Sequence, residues 1–283
     1  MFALIRLEVK KLLSQKRSLM GIFAIIILNG LFLLGFIIHQ NRRGETASRF
    51  SEDYLVNEFM NANVFTFSIL GPSIFLLFPM LIAIIASYMF ASEFEIGSMR
   101  MVLMRPISRL NVLLSKFLVL SVYITTMLGV LGFLSYALAS FFFEAGGLLP
   151  VVPRMYNLQG DLPSFMIYEG KEAVLKVVLA YVFSIPLLLS VSAMAMMFAS
   201  ITRHFTSSAI LTTTLYFSSY IVGVIPFLSS IHPYLPTTKW SAWKYVLIED
   251  IPWDTVTNHL LWTGAYTAVF LGIAYALFNM RDV

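Results

Sequence analysis

The sequence predicts an all-α integral membrane protein with six transmembrane helices and an N-terminal amphipathic interfacial helix. Three observations predict it. Hydrophobic residues make up 59% of the chain and charged residues 12%, against roughly 25% charged in an average soluble protein. Six apolar stretches are long enough to cross a bilayer, which takes about 20 residues of helix. The charges collect in the short segments between those stretches. A length of 283 residues would otherwise accommodate one or two soluble domains. Here it is expected to form a single transmembrane domain, 1–283. The absence of cysteine excludes disulfides, thiolate metal sites and a cysteine nucleophile.

In residues 1–18, Phe2, Ile5, Val9, Leu12 and Leu13 share one helical face, and Arg6, Lys10 and Arg17 share the other. That pattern predicts a helix lying at the lipid headgroups. A secretory signal peptide competes with this reading. The apolar run 19–38 that follows exceeds the roughly 7–15 residues of a signal core and no small-residue cleavage site follows it, so it is read as the first span. Residues 39–63 form a polar loop. The second span covers 64–91, with Gly71, Pro72 and Pro79 predicting a break or kink inside it. The third covers 117–143. Residues 144–171, with Gly146, Gly147, Pro150, Pro153 and Pro163, read as an irregular external loop. The fourth covers 173–201, interrupted by Pro186, and Arg203 and His204 mark a tight turn. The fifth covers 205–231. The mixture of proline and tryptophan in 232–255 suits a segment at, or dipping into, the outer interface. The sixth covers 256–280.

Between the second and third spans lies a charged island, 91–116. No Asp, Glu, Lys or Arg occurs from Phe59 to Ser92 or from Phe117 to Phe143, while the island holds Glu93, Glu95, Arg100, Arg105, Arg109 and Lys116. Met99, Val102, Leu103 and Met104 recur at helical spacing. Pro106 stops that helix, because proline lacks the backbone donor, and Ser108 is placed to cap the next one. A helix–break–helix of this kind suits a contact at the membrane surface; the plainer reading is a solvated basic loop.

In residue order the island resembles the cytoplasmic loop of ATP-binding cassette (ABC) transporter permeases of the type-2 (ABC-2) exporter group. There an acidic residue precedes a Gly-Thr-Leu-Arg-like run, then Leu-Leu, Pro-Ile-Ser-Arg and a Lys entering the next span. Here those positions read Glu93, Glu95, Gly97-Ser98-Met99-Arg100, Val102-Leu103, Arg105-Pro106-Ile107-Ser108-Arg109 and Lys116. Ser98 replaces the usual Thr and Met99 the usual Leu. The ending Phe278-Asn279-Met280-Arg281-Asp282-Val283 is also similar to that group's Phe-x-x-Arg-Asp-Ile. The resemblance implies a cytoplasmic coupling helix in 92–116 that docks onto a separate ATP-binding cassette ATPase subunit. Met99, Leu103 and Met104 would seat in a groove, and Glu93, Glu95, Arg100, Arg105 and Arg109 would fix register. It also implies a dimer with a second permease copy or a paralogue, and ATP and Mg in the partner subunit with no cofactor in this chain.

Charge sets the orientation. The segments 1–18, 92–116, 202–204 and 281–283 hold 11 of the 19 Lys and Arg but 4 of the 15 Asp and Glu. Basic residues favour the cytoplasm, so both termini and the island are expected there, in the cell inner membrane.

A search for chemistry is largely negative. The spanning interiors are read as free of Asp, Glu, Lys and Arg, which argues against a proton relay or an intramembrane enzyme. His39, His204, His232 and His259 lie near segment ends without metal spacing, as interfacial polar residues do. Met194, Met196 and Met197 do not share a helix face, which favours packing over Cu(I) binding. The Ser and Thr residues of the fifth span suit helix packing or the lining of a polar pathway. No Gly-x-x-x-x-Gly-Lys-Ser/Thr loop is present, so the chain has no phosphate cradle of its own. With these negatives, the resemblance implies a permease subunit of an ATP-driven transporter, not an enzyme. Membrane lipid surrounds it and no nucleic-acid partner is expected. The alternative is a membrane anchor or mechanotransmitter linking the ATPase to a periplasmic partner. Lipids, peptides, drugs and ions are all compatible cargoes.

Overall fold

The computed structural model describes residues 2–14, 16–41, 61–97, 108–143, 145–156, 158 and 165–280. The chain is a helical bundle built around one long central helix. In order the helices are α1 (Phe2–Ser14), α2 (Lys16–Asn41), α3 (Ala62–Pro72), α4 (Phe78–Glu95), α5 (Arg109–Phe142), α6 (Gly170–Thr202), α7 (Phe205–Val224), two single turns α8 (Pro236–Lys239) and α9 (Ala242–Tyr245), and α10 (Trp253–Asn279). A π-helical segment, Ser73–Leu77, joins α3 to α4. Among the described residues, five helical stretches are long and apolar enough to span a membrane: 19–38 of α2, the α3–α4 unit, α5, α6 and α10.

Helix α6 is central because its small residues let neighbours approach on every side. Ala180, Ser184, Ala193, Ala195, Ala199 and Ser200 are buried along it, and such residues are what membrane helices use for close contact. It packs against α3, α4, α5, α7 and α10. Met194, Met196 and Met197 are all buried although they point in different directions, because α6 has no free face there. The predicted interruption at Pro186 does not occur; α6 runs through it unbroken. The ring removes one backbone bond, a loss that membrane helices absorb locally.

The expected break in the second span is the π-helical segment after Pro72. A π-turn leaves a carbonyl out of the α-pattern, and Tyr216 Oη of α7 donates to Phe75 O at 3.1 Å. Serines clasp three helices: Ser87 and Ser208 hydroxyls lie 2.8 Å apart, and Ser208 also donates to Ala195 O. Ser208, Thr212 and Ser219 of α7 are thus buried in packing, while Thr206, Ser207, Thr214 and Ser218 are on its uncovered face. Helix α7 ends at Val224, seven residues before the predicted end of the fifth span, and tight turns follow. His232 Nε2 donates to the carbonyls of Val222 and Ile225 there, both at 3.1 Å.

Of the amphipathic segment 1–18, residues 2–14 and 16–18 are helical, in α1 and the start of α2, and Gln15 between them lies outside the described residues. Two further expectations are corrected. The external loop 144–171 is not wholly irregular. Leu149–Val151 (β1) pairs antiparallel with Met166–Tyr168 (β2), so the all-α class carries one small hairpin. Its inward residues Leu149, Val151, Met166 and Tyr168 are buried, and Lys176 Nζ and Tyr168 Oη donate to the carbonyls of Ile248 and Leu247. The spanning interiors are not free of charge either, since Lys176 is buried within α6. It sits near the end of that helix, where carbonyls of the 246–250 turn and the ring face of Tyr168, 5.0 Å away, offset its desolvation.

The tryptophan-rich segment dips into the bundle. Trp240 and Trp243 are buried, Trp243 against Phe67, Phe75 and Tyr156, and Trp240 stacked on Tyr216. Asn61 begins the second span. Its Oδ1 accepts from the amides of Asn63 and Val64, and its Nδ2 donates to Leu148 O. Gly147, at φ 90°, permits that contact, because a Cβ there would fall 2.7 Å from Asn61 Cγ.

Candidate functional site

The candidate site is the end of the bundle where the island 91–116 leaves α4 and enters α5. Of the residues that the sequence nominates there, Ser98, Met99, Arg100, Leu103, Met104, Arg105 and Pro106 lie outside the described residues. Also outside are Arg42 and the ending 281–283. Glu93, Glu95, Gly97, Ser108 and Arg109 are described. Helix α4 ends after Glu95, and Gly97 adopts φ 76°, a left-handed conformation that glycine takes without strain. On the far side Ser108 caps α5 as expected, its Oγ accepting from Asn111 N.

The charged flanks of the island turn inward: Glu93 and Lys116 meet each other and α1, Glu95 meets α7 and Arg109 meets α10. Glu93, nearly buried, meets Lys116 of α5 at 2.9 Å and Lys11 of α1. Lys116 is fully buried. It donates to both carboxylate oxygens of Glu8, at 3.1 and 3.2 Å, and to Met89 O at 3.0 Å. Two acids and two bases therefore form one hub joining α1, α4 and α5. An ammonium in this setting has all three protons engaged, a condition for tolerating its burial. Burial opposes the charge of Lys11, but its hydrogen bond to Glu93 and the attraction of both carboxylates outweigh that, leaving its pKa raised.

Glu95 reaches α7. Its Oε1 accepts from Phe205 N at 2.9 Å and lies 3.3 Å from His204 Nδ1. A carboxylate at a helix N-terminus satisfies an orphan amide and complements the dipole. Arg109 does the reverse at α10, donating to the terminal carbonyls of Phe278 and Asn279 at 2.7 and 3.0 Å and lying over the Phe278 ring. Phe90, Phe94 and Phe278 fill the space between these contacts with ring centroids 5.6–5.9 Å apart. Arg203, left-handed at φ 58° in the α6–α7 turn, places its guanidinium over Phe94.

The structure thus brings together three nominated residues, Glu93, Glu95 and Arg109, with Lys116 behind them. It adds Glu8 and Lys11, which the sequence reading passed over. A signal existed for Glu8: it falls between Ile5, Val9 and Leu12 on the apolar face of α1. An acid on such a face needs a partner cation.

Among the described residues no nucleophile–base pair is assembled here, and no group of three His, Asp or Glu side chains is placed to hold a metal. The arrangement ties the two flanks of one loop to each other and to three further helices, α1, α7 and α10. A search of curated proteins returns no match to the chain. A family model described as "ABC-2 family transporter protein" matches residues 2–283. The chain therefore belongs to the ABC-2 transporter family, as a multi-pass membrane permease.

Proposed function

We propose that this permease forms the translocation pathway of an ATP-driven transporter and takes its power stroke through the island. The observation that carries the reading is the wiring of the loop's flanks. Glu93 and Lys116 reach α1, Glu95 reaches α7, and Arg109 reaches α10. A push on residues 98–107 would pass into all three. Docking then falls to Met99, Arg100, Leu103, Met104 and Arg105, while the flanking charges transmit force within the chain. ATP and Mg belong to a separate ATP-binding cassette subunit, since this sequence has no phosphate-binding loop. Helix α7 acts as the sixth crossing; its 20 residues reach about 30 Å at 1.5 Å per residue, and its serine and threonine content lowers its apolarity. Both termini and the island lie in the cytoplasm of the inner-membrane protein. The uncovered face of α7, with Thr206, Ser207, Thr214 and Ser218, lines a polar pathway completed by a second permease copy or a paralogue.

The mechanotransmitter reading draws less support. The hairpin and the tryptophan-rich segment are packed onto the bundle instead of extending toward a periplasmic partner.

Arg100→Glu tests the proposal. It places the wrong sign at the partner's groove, at a cost on the order of several kcal/mol if desolvated. The expected outcome is normal membrane insertion with loss of the co-purifying ATPase. Arg42→Glu is the control and retains the complex. An Arg100→Glu complex that forms and hydrolyses ATP like the native one would make the island a solvated basic loop.

A further inference from the structure

At the end of the bundle opposite the island, the tryptophan-rich segment encloses a cavity of about 310 Å³ against α7. Its walls combine rings and hydroxyls: Phe75, Tyr156, Tyr220 and Tyr245 with Thr237, Thr238 and Ser241. Among the described residues no Asp or Glu lines it and one cation does: Lys244, half-buried, with its Nζ 5.4 Å from the Phe75 ring centroid and 5.9 Å from that of Trp243. Among the described residues no carboxylate and no hydrogen-bond acceptor meets this ammonium. Lys116 and Lys176, the buried cations among the other described residues, each hold acceptors. The hydroxyls are committed elsewhere: Thr238 Oγ1 donates to His232 O and Leu235 O, Ser241 Oγ to Thr238 O, and Thr237 pairs with Ser219. The nearby indole N–H groups of Trp240 and Trp243 are also buried without an acceptor. The described lining of the cavity therefore offers a cation, with two unpaired indole donors close by, and no carboxylate.

We propose that this cavity binds the anionic headgroup of an amphiphile, with Lys244 facing its phosphate or carboxylate. The volume suits a headgroup and is too small for a whole lipid. The remainder of such a molecule has a path. Val224 lines the cavity and is 64% exposed, one turn of α7 from Ile221, exposed by 57%, and Phe227 beyond the helix end is exposed by 84%. These exposed apolar side chains give the rest of an amphiphile a surface beside the cavity. Aromatic faces hold the cation in place without neutralising it, so its charge remains available to the ligand. Burial lowers the Lys244 pKa from the ordinary lysine value, and an arriving anion restores the charged form. The inference does not depend on the ATPase-coupling reading.

The test uses the full chain in non-ionic detergent. Three probes are titrated against tryptophan fluorescence: dihexanoyl phosphatidylglycerol, dihexanoyl phosphatidylcholine and inorganic phosphate. Phosphatidylglycerol should bind the native chain and Lys244→Arg at least tenfold more tightly than Lys244→Gln, and more tightly than phosphatidylcholine binds the native chain. Competition by inorganic phosphate would assign recognition to the free anion; its failure would assign it to the lipid. Either result supports an anion site at Lys244. Equal binding by Lys244→Gln, or equal binding of the two lipids, overturns it. Protection of Lys244 from an amine-reactive acylating reagent, read by mass spectrometry, needs no variant. Phosphatidylglycerol should slow that labelling several-fold, and an unchanged rate also overturns the proposal.

Discussion

Lys116 and Glu8, 108 residues apart, form a buried ion pair with both carboxylate oxygens within 3.2 Å of the ammonium. The pair fixes the N-terminal helix to the base of α5, and through Glu93 to the base of α4. Without it α1 would rest on the Lys11–Glu93 contact and on Leu12 with the partly buried Ile5 and Val9, a narrow apolar strip.

Removing one partner of such a pair strands a buried charge. Lys116→Met should therefore lower stability by about 3–5 kcal/mol, whereas pairing it with Glu8→Leu should recover a substantial part. A double-mutant cycle on the thermal unfolding of the detergent-solubilised protein measures the coupling. Additive effects of the two substitutions would mean that the pair contributes little. The sign of the pH dependence follows from Lys11, whose pKa is raised above 10.5. Its contribution is intact at neutral pH and is lost only as pH rises through that raised value.

Much of this was legible in the sequence, and the parts that were not have physical reasons. Spans announce themselves by length and apolarity. The π-turn was readable from Pro72, and the start of α5 from Ser108, because both act on their own backbone. The hairpin was not readable: three-residue strands show too little alternation to be told from loop, and Pro150 lies inside one of them. Pro186 misled because its local cost is absorbed by packing around α6. The α1, α7 and α10 targets of Glu93, Glu95 and Arg109 were out of reach, since contacts spanning 82 to 170 residues leave no local trace. Glu8 was the missed opportunity: its place on an apolar face asks for a cation, and Lys116 is a basic residue leading into an apolar span.

Topology is testable without background, because the chain has no cysteine. Cysteine at Ser14, exposed at the end of α1, should resist an impermeant thiol reagent in intact cells, while cysteine at Ser51 should react. The opposite pattern would invert the protein and place the island outside.

Gly21 offers a sharp packing test. A Cβ there would lie 2.5 Å from Tyr123 Oη, so α2 and α5 meet closely at this point. Gly21→Leu should separate them and cost roughly 1–3 kcal/mol, in the range of overpacked cores. The companion Tyr123→Phe removes the hydroxyl and should reduce that penalty. The measurement is the thermal midpoint of single and double variants, and an undiminished penalty would mean that α2 shifts bodily away from its neighbour.

The last prediction separates holding from transmitting. Glu95 is partly exposed, so its contact with Phe205 N contributes only about 0.3–1 kcal/mol to stability, as charges at helix ends do. Glu95→Ala should therefore leave folding, insertion and assembly close to native. If Glu95 links the island to α7, the same substitution should weaken the response of α7's far end to nucleotide. A reporter cysteine at Phe227, 84% exposed just beyond that end, reads the response as a change in labelling rate when the assembled transporter binds ATP. Native protein should show the change, and Glu95→Ala should lose most of it while ATP hydrolysis continues. Glu95→Gln, which keeps an acceptor for the amide but removes the charge, should fall between them. An ATP-dependent change of native size in Glu95→Ala would show that force reaches α7 by another route. Arg109 at α10 would then be the next contact to remove.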